Sequence, residues 1–197
     1  MRAFVSIPVP LEAREHLADH LEPRLGEACL RWSDPERWHL TLAFMPDLSE
    51  VDLDDLTERL TEAGTRRRPF TMRLRGANTF GPPTRARVLW ADIEADAEDR
   101  EELDRLAVGC RHAAAASGTV VEGGRFVPHV TLARCPRPRD LTRLLQVFDL
   151  YEGPTWQVES VDLVESHLHP TRHDVLTTVS LGNPDEVQEH RWWRRAP

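Results

Sequence analysis

The sequence predicts an α+β protein built of two pseudo-symmetric lobes, and three observations support this fold class. Predicted strands and helices come in two comparable sets along the chain, without the regular alternation of βαβ units. Each set contains one strand with the pattern His-x-Thr, first at His39-Leu40-Thr41 and again at His129-Val130-Thr131. The two motifs are 90 residues apart in a chain of 197, which is close to half its length.

The first set begins with a strand within residues 1–10 and ends with a pair of strands. A helix is predicted after the first strand, because apolar residues recur at helical spacing and a glycine follows them. The apolar residues are Ala13, Leu17, Leu21 and Leu25, and the glycine stop is Gly26. The first motif strand comes next, and residues 47–62 form a second helix with Leu53, Leu56 and Leu60 on one stripe. Strands at 70–76 and 88–92 are separated by a Gly-Pro-Pro turn at 81–83.

The second set starts with a helix that Asp96 can cap and that ends near Gly118. Its apolar face consists of Leu103, Leu106, Ala107, Cys110 and Ala114. The second motif strand follows a Gly-Gly pair at 123–124, and a short helix at 141–148 precedes closing strands at 156–166 and 175–181. We expect residues 1–197 to form one domain made of the two lobes, with 184–197 as a tail without an assigned role.

Composition limits the classes of protein. The net charge of −8 argues against a broadly basic nucleic-acid-binding surface, and all 25 basic residues are arginine, so any anion site is built from arginine. The three cysteines, Cys29, Cys110 and Cys135, form no pattern typical of a disulfide framework or a zinc site, which favours a reducing, cytoplasmic setting. No segment has the length and apolarity of a signal peptide or a membrane span.

The repeated motif suggests acid–base chemistry on a phosphoester. Side chains alternate along a strand, so each histidine shares one face with the threonine two residues later. One imidazole can be neutral and another protonated near neutral pH, and Thr41 and Thr131 can donate hydrogen bonds to phosphate oxygens. Strict alternation places Arg134 on the face opposite His129 and Thr131, unless a strand end or a bulge there turns it toward the phosphate.

These residues and their flanks resemble the 2H phosphoesterases of the LigT or ThpR type, the RNA 2′,3′-cyclic phosphodiesterases. The similarity extends over nearly the whole chain, in the segments 1–7, 31–44, 87–90, 125–134 and 163–166. It implies two antiparallel sheets that face a central cleft, helices outside, and neither a metal nor another cofactor. It also implies hydrolysis of RNA 2′,3′-cyclic phosphate ends to a 2′-phosphate, with a reverse reaction that forms 2′,5′ linkages.

Roles follow from the resemblance, residue by residue. His39 matches the general acid that protonates the O3′ leaving group, and His129 matches the general base that activates water. Thr41, Thr131 and Arg134 match phosphate-binding positions. Phe44 matches an aromatic residue that can stack on the terminal base, although a role in the core is nearly as well supported for it.

Two segments depart from the family pattern. After Phe44, Met45-Pro46-Asp47 stands where the family usually has Leu-Gly. Thr171-Arg172-His173-Asp174 stands where a Gly-x-x-Tyr element commonly occurs. We therefore expect substrate contacts beside these two segments to differ from those of the family.

Three alternatives remain open. His167, His169 and His173 could bind a metal, although no cysteine or carboxylate pair completes a tetrahedral set and an exposed edge is favoured. The substrate could be a small cyclic phosphate, such as a mononucleotide or an ADP-ribose cyclic phosphate, which the acidic net charge favours mildly. The cleft could also bind RNA ends without catalysis. No protein partner is predicted, and a monomer is expected.

Overall fold

A computed structural model describes residues 1–26, 30–168 and 171–182. Cys29, His169 and the tail expected at 184–197 lie outside these ranges. The strands are β1 (Ala3–Pro8), β2 (Arg31–Trp32), β3 (His39–Met45), β4 (Phe70–Thr79), β5 (Ala86–Glu94), β6 (His129–Arg139), β7 (Trp156–Val158), β8 (Ser160–Leu168) and β9 (Thr171–Ser180). The α-helices are α1 (Leu11–Leu21), α2 (Leu53–Thr65), α3 (Ala97–Ala116) and α4 (Thr142–Phe148). Within the described ranges, no helix is both long and apolar enough to span a membrane.

The strands form one curled antiparallel sheet in the order β7-β4-β5-β6-β3-β1-β8-β9, and β2 pairs with β6. The two motif strands, β3 and β6, are neighbours at its centre and pair at a single position, Leu40 with Val130. The sheet therefore has two halves that meet at the motifs, and the predicted α+β fold class is confirmed.

Each half of the sheet is assembled from both parts of the chain. The half that contains His39 consists of β3, β1, β8 and β9, whereas the half that contains His129 consists of β6, β5, β4 and β7. The closing strands expected as one segment at 156–166 are divided at Glu159, because β7 pairs with β4 and β8 pairs with β1. The chain passes from one half to the other at that residue.

The predicted helices are present, with shifted ends. The carboxylate of Asp96 accepts a hydrogen bond from the Asp99 backbone N–H at 2.8 Å, so the predicted cap of α3 is confirmed. The helix expected from residue 47 begins at Leu53, after a short 3₁₀ turn. Leu25 was expected on the buried stripe of α1 and is 50% exposed instead, because Pro23 ends the α-helix and a 3₁₀ turn follows.

The helices cover the face of the sheet opposite the motif side chains. In β3, the buried residues Leu40, Leu42 and Ala43 belong to the face on which α3 packs. The helix α2 packs on α3 and β9, and α4 packs on β4. This apolar packing leaves the polar side chains of β3 on the opposite, half-exposed face.

Gly64 is a point of close contact between α2 and β9, and we expect its replacement with alanine to destabilise the protein. A Cβ atom at Gly64 would lie 2.7 Å from both the carbonyl oxygen of Ser180 and Cγ1 of Val179. Because the backbone oxygen has little room to move, Gly64→Ala should lower the free energy of unfolding by about 1–3 kcal/mol in denaturant titrations.

Gly109 in α3 provides the matched control for this substitution. A Cβ atom there would lie 3.6 Å from the Cβ of Ala63, which is an ordinary contact distance. We expect Gly109→Ala to leave stability unchanged or to raise it by up to about 1 kcal/mol, since alanine is the better helix former. Equal stability of the two variants would contradict the proposed close contact at Gly64.

Candidate active site

The pairing of β3 with β6 brings both motifs to one place. Leu40 lies opposite Val130, and the same antiparallel register puts His39 across from Thr131 and Thr41 across from His129. All four polar side chains are half-buried, while Leu40 and Val130 are buried on the other face. The site therefore has an approximate local twofold symmetry, with one histidine and one threonine from each half.

A bulge in β6 resolves the position of Arg134. The register between β5 and β6 shifts between Thr131 and Ala133, which leaves Leu132 without a partner on β5. Because one extra residue reverses the alternation, Ala133 is buried and Arg134 is exposed on the face of His129. Strict alternation was therefore the wrong expectation here, and the bulge alternative is confirmed.

The same irregularity occurs in β3. Its register with β1 shifts between Thr41 and Ala43, so Leu42 is the extra residue and Phe44 returns to the polar face. Phe44 thus occupies the position in the first motif that Arg134 occupies in the second. The guanidinium of Arg2 lies over the Phe44 ring, 4.7 Å from its centroid.

Both motif histidines are oriented by the same hydrogen bond. Nδ1 of His39 lies 2.7 Å from the carbonyl oxygen of Arg37, and Nδ1 of His129 lies 2.7 Å from the carbonyl oxygen of Val127. A carbonyl can only accept, so each Nδ1 donates its proton and the neutral ring is left with an unprotonated Nε2. Two matched Nε2 atoms can then accept or return a proton.

His39 lies in an aromatic environment that disfavours its charged form. The Phe4 ring stacks on it at 4.5 Å between centroids and 15° between planes, and the His173 ring meets it edge-on at 5.4 Å. The pKa of His39 is lowered from 6.5 to about 4, mainly by burial; the bond to Arg37 raises it, and positive charge at His173 and His129 contributes to the lowering. In the unliganded protein His39 is neutral at pH 7.

His129 has an aromatic environment of its own. The Phe80 ring lies 4.9 Å away and perpendicular to it, and the Trp90 ring lies 5.6 Å away. Burial lowers the pKa of His129, the positive charge of Arg134 lowers it further, and the bond to Val127 raises it. Phe80 is 46% exposed and was missed in the sequence analysis, where its place before a Gly-Pro-Pro turn indicated only a loop.

The structure separates His173 from His167. In the pairing of β8 with β9, His173 lies opposite Ser166 and His167 lies opposite Arg172, so the two histidines face opposite sides of the sheet. Nε2 of His167 is 3.0 Å from a carboxylate oxygen of Asp174. Among the residues with described positions, no group of three or more histidine, cysteine or acidic side chains is arranged to hold a metal ion.

The comparisons with known proteins agree with this geometry. The sequence model of the 2′-5′ RNA ligase superfamily matches residues 8–170. The chain belongs to this superfamily. A curated relative, the RNA 2′,3′-cyclic phosphodiesterase of Thermus thermophilus, is 31% identical over 179 residues, which are 86% of this chain and 84% of that protein.

Solved structures with 25–29% sequence identity to this chain have the same fold. A Thermus thermophilus protein of known structure superposes with a TM-score of 0.75 and 29% identity, covering 93% of this chain and all of that chain. Escherichia coli LigT in complex with 3′-AMP superposes with a TM-score of 0.75 and 25% identity, covering 92% of this chain and 98% of LigT. The resemblance to the LigT-type 2H phosphoesterases is confirmed.

Proposed function

We propose that this superfamily member hydrolyses the 2′,3′-cyclic phosphate at RNA ends to a 2′-phosphate, by metal-independent acid–base catalysis with two histidines. The main support is the matched pair of imidazoles, His39 and His129, each held by an Nδ1 hydrogen bond on the face it shares with a threonine. The name of the Thermus relative, an RNA 2′,3′-cyclic phosphodiesterase, supports the same enzyme class.

The proposed reaction is an in-line displacement at phosphorus. Nε2 of neutral His129 takes a proton from water, and the water oxygen forms a bond to phosphorus. The bond between phosphorus and O3′ breaks on the opposite side, and protonated His39 donates its Nε2 proton to O3′. The product has a 2′-phosphate and a free 3′-hydroxyl. The same sequence with an RNA 5′-hydroxyl in place of water joins that oxygen to phosphorus, releases O3′ and forms a 2′,5′ linkage.

Three side chains are proposed to hold the phosphate during this step. Thr41 and Thr131 share the polar face with the histidines, and Arg134 reaches that face through the bulge in β6. Hydroxyl and guanidinium donors stabilise the charge that develops on the non-bridging oxygens. We propose that Phe44 contacts the terminal base. The guanidinium of Arg2 lies over the Phe44 ring.

The lowered histidine pKa values predict an acidic pH optimum for kcat/KM, which reports the ionisations of the free enzyme. The pKa of His39 falls to about 4 and that of His129 falls below its ordinary 6.5. The base must be neutral and the acid protonated, so both limbs of the bell-shaped profile should lie below pH 6.5. The kcat profile should lie at higher pH, since a bound phosphodiester anion stabilises both imidazolium forms.

Measurement of kcat/KM from pH 3.5 to 9 on a short RNA with a cyclic phosphate end tests this profile. His112 on α3 provides a control, because it is exposed and His112→Ala should leave both limbs unchanged. An alkaline limb above pH 7 for kcat/KM would contradict the lowered pKa values of the two histidines.

The decisive experiment for the proposed function is incubation of the same RNA with the protein in excess EDTA, followed by assignment of the phosphate position in the product. We expect turnover to a 2′-phosphate, and a 2′,5′-linked product when an RNA with a 5′-hydroxyl is added in excess. A 3′-phosphate product, or dependence on added metal, would reject the mechanism. Turnover of small cyclic phosphates alone would favour a phosphodiesterase for small substrates, and saturable binding without turnover would favour an RNA-end binding protein.

Monomeric state and cytoplasmic location stay predictions from the sequence.

A further inference from the structure

His173 is brought to the active site by the curl of the sheet. It lies on β9, whereas His39 lies on β3, and β1 and β8 separate these two strands in the sheet. Neighbouring strands are about 4.8 Å apart, so the backbones of β3 and β9 would be separated by about 14 Å in a flat sheet. The ring centroids of His39 and His173 are 5.4 Å apart. Curling of the sheet therefore places an imidazole from the edge strand beside the proposed proton donor.

Arg37 connects the start of β9 with the His39 ring. Its guanidinium donates a hydrogen bond to the carbonyl oxygen of Thr171 at 3.2 Å, two residues before His173. Its own carbonyl oxygen accepts the hydrogen bond from Nδ1 of His39 at 2.7 Å. One residue thus orients the His39 imidazole and contacts the strand that carries His173.

The His173 ring lies against the side of a stacked pair of rings. Phe4 and His39 stack with their centroids 4.5 Å apart, and the centroid of His173 is 5.0 Å from that of Phe4 and 5.4 Å from that of His39. Its plane is nearly perpendicular to both, at 74° and 78°. A ring on the far face of His39 would be about twice as far from Phe4 as from His39. His173 therefore closes the side of the stack and limits movement of the imidazole across the face of Phe4.

The two motif histidines differ in the chemistry of the rings around them. His129 contacts Phe80 at 4.9 Å and Trp90 at 5.6 Å, and the Phe80 and Trp90 rings are 5.3 Å from each other. Both of those rings are uncharged at every pH. The packing of His39 instead combines Phe4 with an imidazole that can be protonated. The ring that closes the stack on His39 can therefore also act on its charge.

Several charged groups determine the protonation of His173. Burial lowers its pKa most, positive charge at Arg37 lowers it further, the carboxylate of Asp174 raises it, and positive charge at His167 lowers it. With a pKa below the ordinary 6.5, His173 is mostly neutral at pH 7.5. Positive charge at His173 contributes to the lowered pKa of His39, so neutral His173 is the form that favours a protonated donor.

We propose that His173 is a positioning residue for His39, and that its ring holds the imidazole in the orientation from which it donates a proton to O3′. The role of His39 as the donor rests on the proposed function. The restraint on the His39 ring is a property of the unliganded protein and can be measured without turnover.

Nitrogen NMR of the histidine side chains at pH 7.5 tests this restraint, because it distinguishes the imidazole nitrogen that bears a proton from the one that does not. The wild type should show a single form of His39 with the proton on Nδ1, as the bond to Arg37 requires. His173→Ala should show a mixture of both neutral forms, since a ring free to slide no longer keeps this bond.

Phenylalanine provides the conservative variant. Within the described ranges the ring nitrogens of His173 have no hydrogen-bond partner, so His173→Phe retains the ring packing and removes the charge. It should restore the single form of His39. On a short cyclic-ended RNA, His173→Ala should lower kcat by about 10–10²-fold with KM changed by less than about twofold, because misplacement of a catalytic group slows the chemical step. His173→Phe should recover kcat to within about threefold of the wild type.

The pKa of His39 is a further readout that a loss of stability alone would not move. It is about 4 in the wild type. His173→Phe removes a positive charge that lowers this pKa, so the NMR titration of His39 should shift to higher pH. His173→Ala also reduces the burial of His39, so its shift should be larger. An unchanged titration in both variants would overturn the inference.

His167→Ala is the matched control, because His167 belongs to the same strand pair and faces the opposite side of the sheet. It should leave the His39 spectrum and kcat as in the wild type, and thermal unfolding should show that all three variants are folded. A single form of His39 in His173→Ala, or failure of phenylalanine to restore that form and kcat, would show that His173 does not position the donor. If the wild type turns over no RNA end, the proposed function fails and the nitrogen spectra still decide the restraint.

Discussion

Replacement of either His39 or His129 with alanine should reduce single-turnover rates on a cyclic-ended RNA by about 10²–10⁴-fold, which is the range for loss of a positioned acid or base. The two imidazoles act on opposite sides of one displacement. We therefore expect the double variant to be far less impaired than the product of the two single losses would predict. A loss of less than tenfold in either single variant would contradict the two-histidine mechanism.

Controls for these variants must separate chemistry from folding. Stability is best measured at pH 7.5, where His39 is neutral in the folded protein and, with an ordinary pKa of 6.5, mostly neutral in the unfolded chain. Between pH 6.5 and about 4 the unfolded chain binds the proton more readily, so His39 contributes a loss of stability as the pH falls through that window. His112→Ala serves again as the control for activity.

Replacement of Arg134 with glutamine should lower kcat/KM by about 10²–10³-fold, comparable with removal of one donor to a developing oxyanion. Arg134→Lys should recover only part of this loss, because a single ammonium does not reproduce the planar two-donor fork of arginine. A second readout follows from electrostatics. The positive charge of Arg134 lowers the pKa of His129, so Arg134→Gln should move the limb of the pH profile that belongs to the base to higher pH.

Arg59 is the control for loss of one arginine, since it is exposed on α2 and its guanidinium donates a hydrogen bond to Asp55 on the same helix. Arg59→Gln should leave kcat/KM and the pH profile unchanged. If Arg134→Gln retains more than a third of wild-type kcat/KM, Arg134 does not hold the phosphate and the donors are to be sought elsewhere on the polar face.

The sequence predicted much of the local structure because the signals were local. Alternating polar and apolar residues indicated the motif strands, and the capping residue Asp96 with its apolar stripe indicated α3. Prediction from the sequence was less successful where pairing between strands distant in the chain determines the structure. The apolar positions change phase at 159–160, from Trp156 and Val158 to Val161 and Leu163, but the change of partner strand between β7 and β8 is visible only in the pairing.

Two site residues could be found only in three dimensions. His173 was grouped with His167 and His169 as a possible metal ligand, but the register of β8 with β9 turns it toward His39. Phe80 lies in a loop whose sequence indicates a turn, and its contact with His129 arises because β5 pairs with β6. The residues that flank His173 and Phe80 in the chain do not indicate the contact of His173 with His39 or of Phe80 with His129.

The sequence by itself determined the family and the two motif strands, because a doubled His-x-Thr frame and strand alternation depend only on neighbouring residues. The assignment of His39 as the acid and His129 as the base stays a proposal that rests on the family resemblance. Only the tertiary structure decided where Arg134 points, since the bulge at Leu132 is defined by pairing with β5. The same holds for the exchange of strands between the halves, since β7 and β8 follow each other in the chain but pair with β4 and β1. Strand partners that are distant in the chain are brought together only by long-range pairing, which neighbouring residues do not specify.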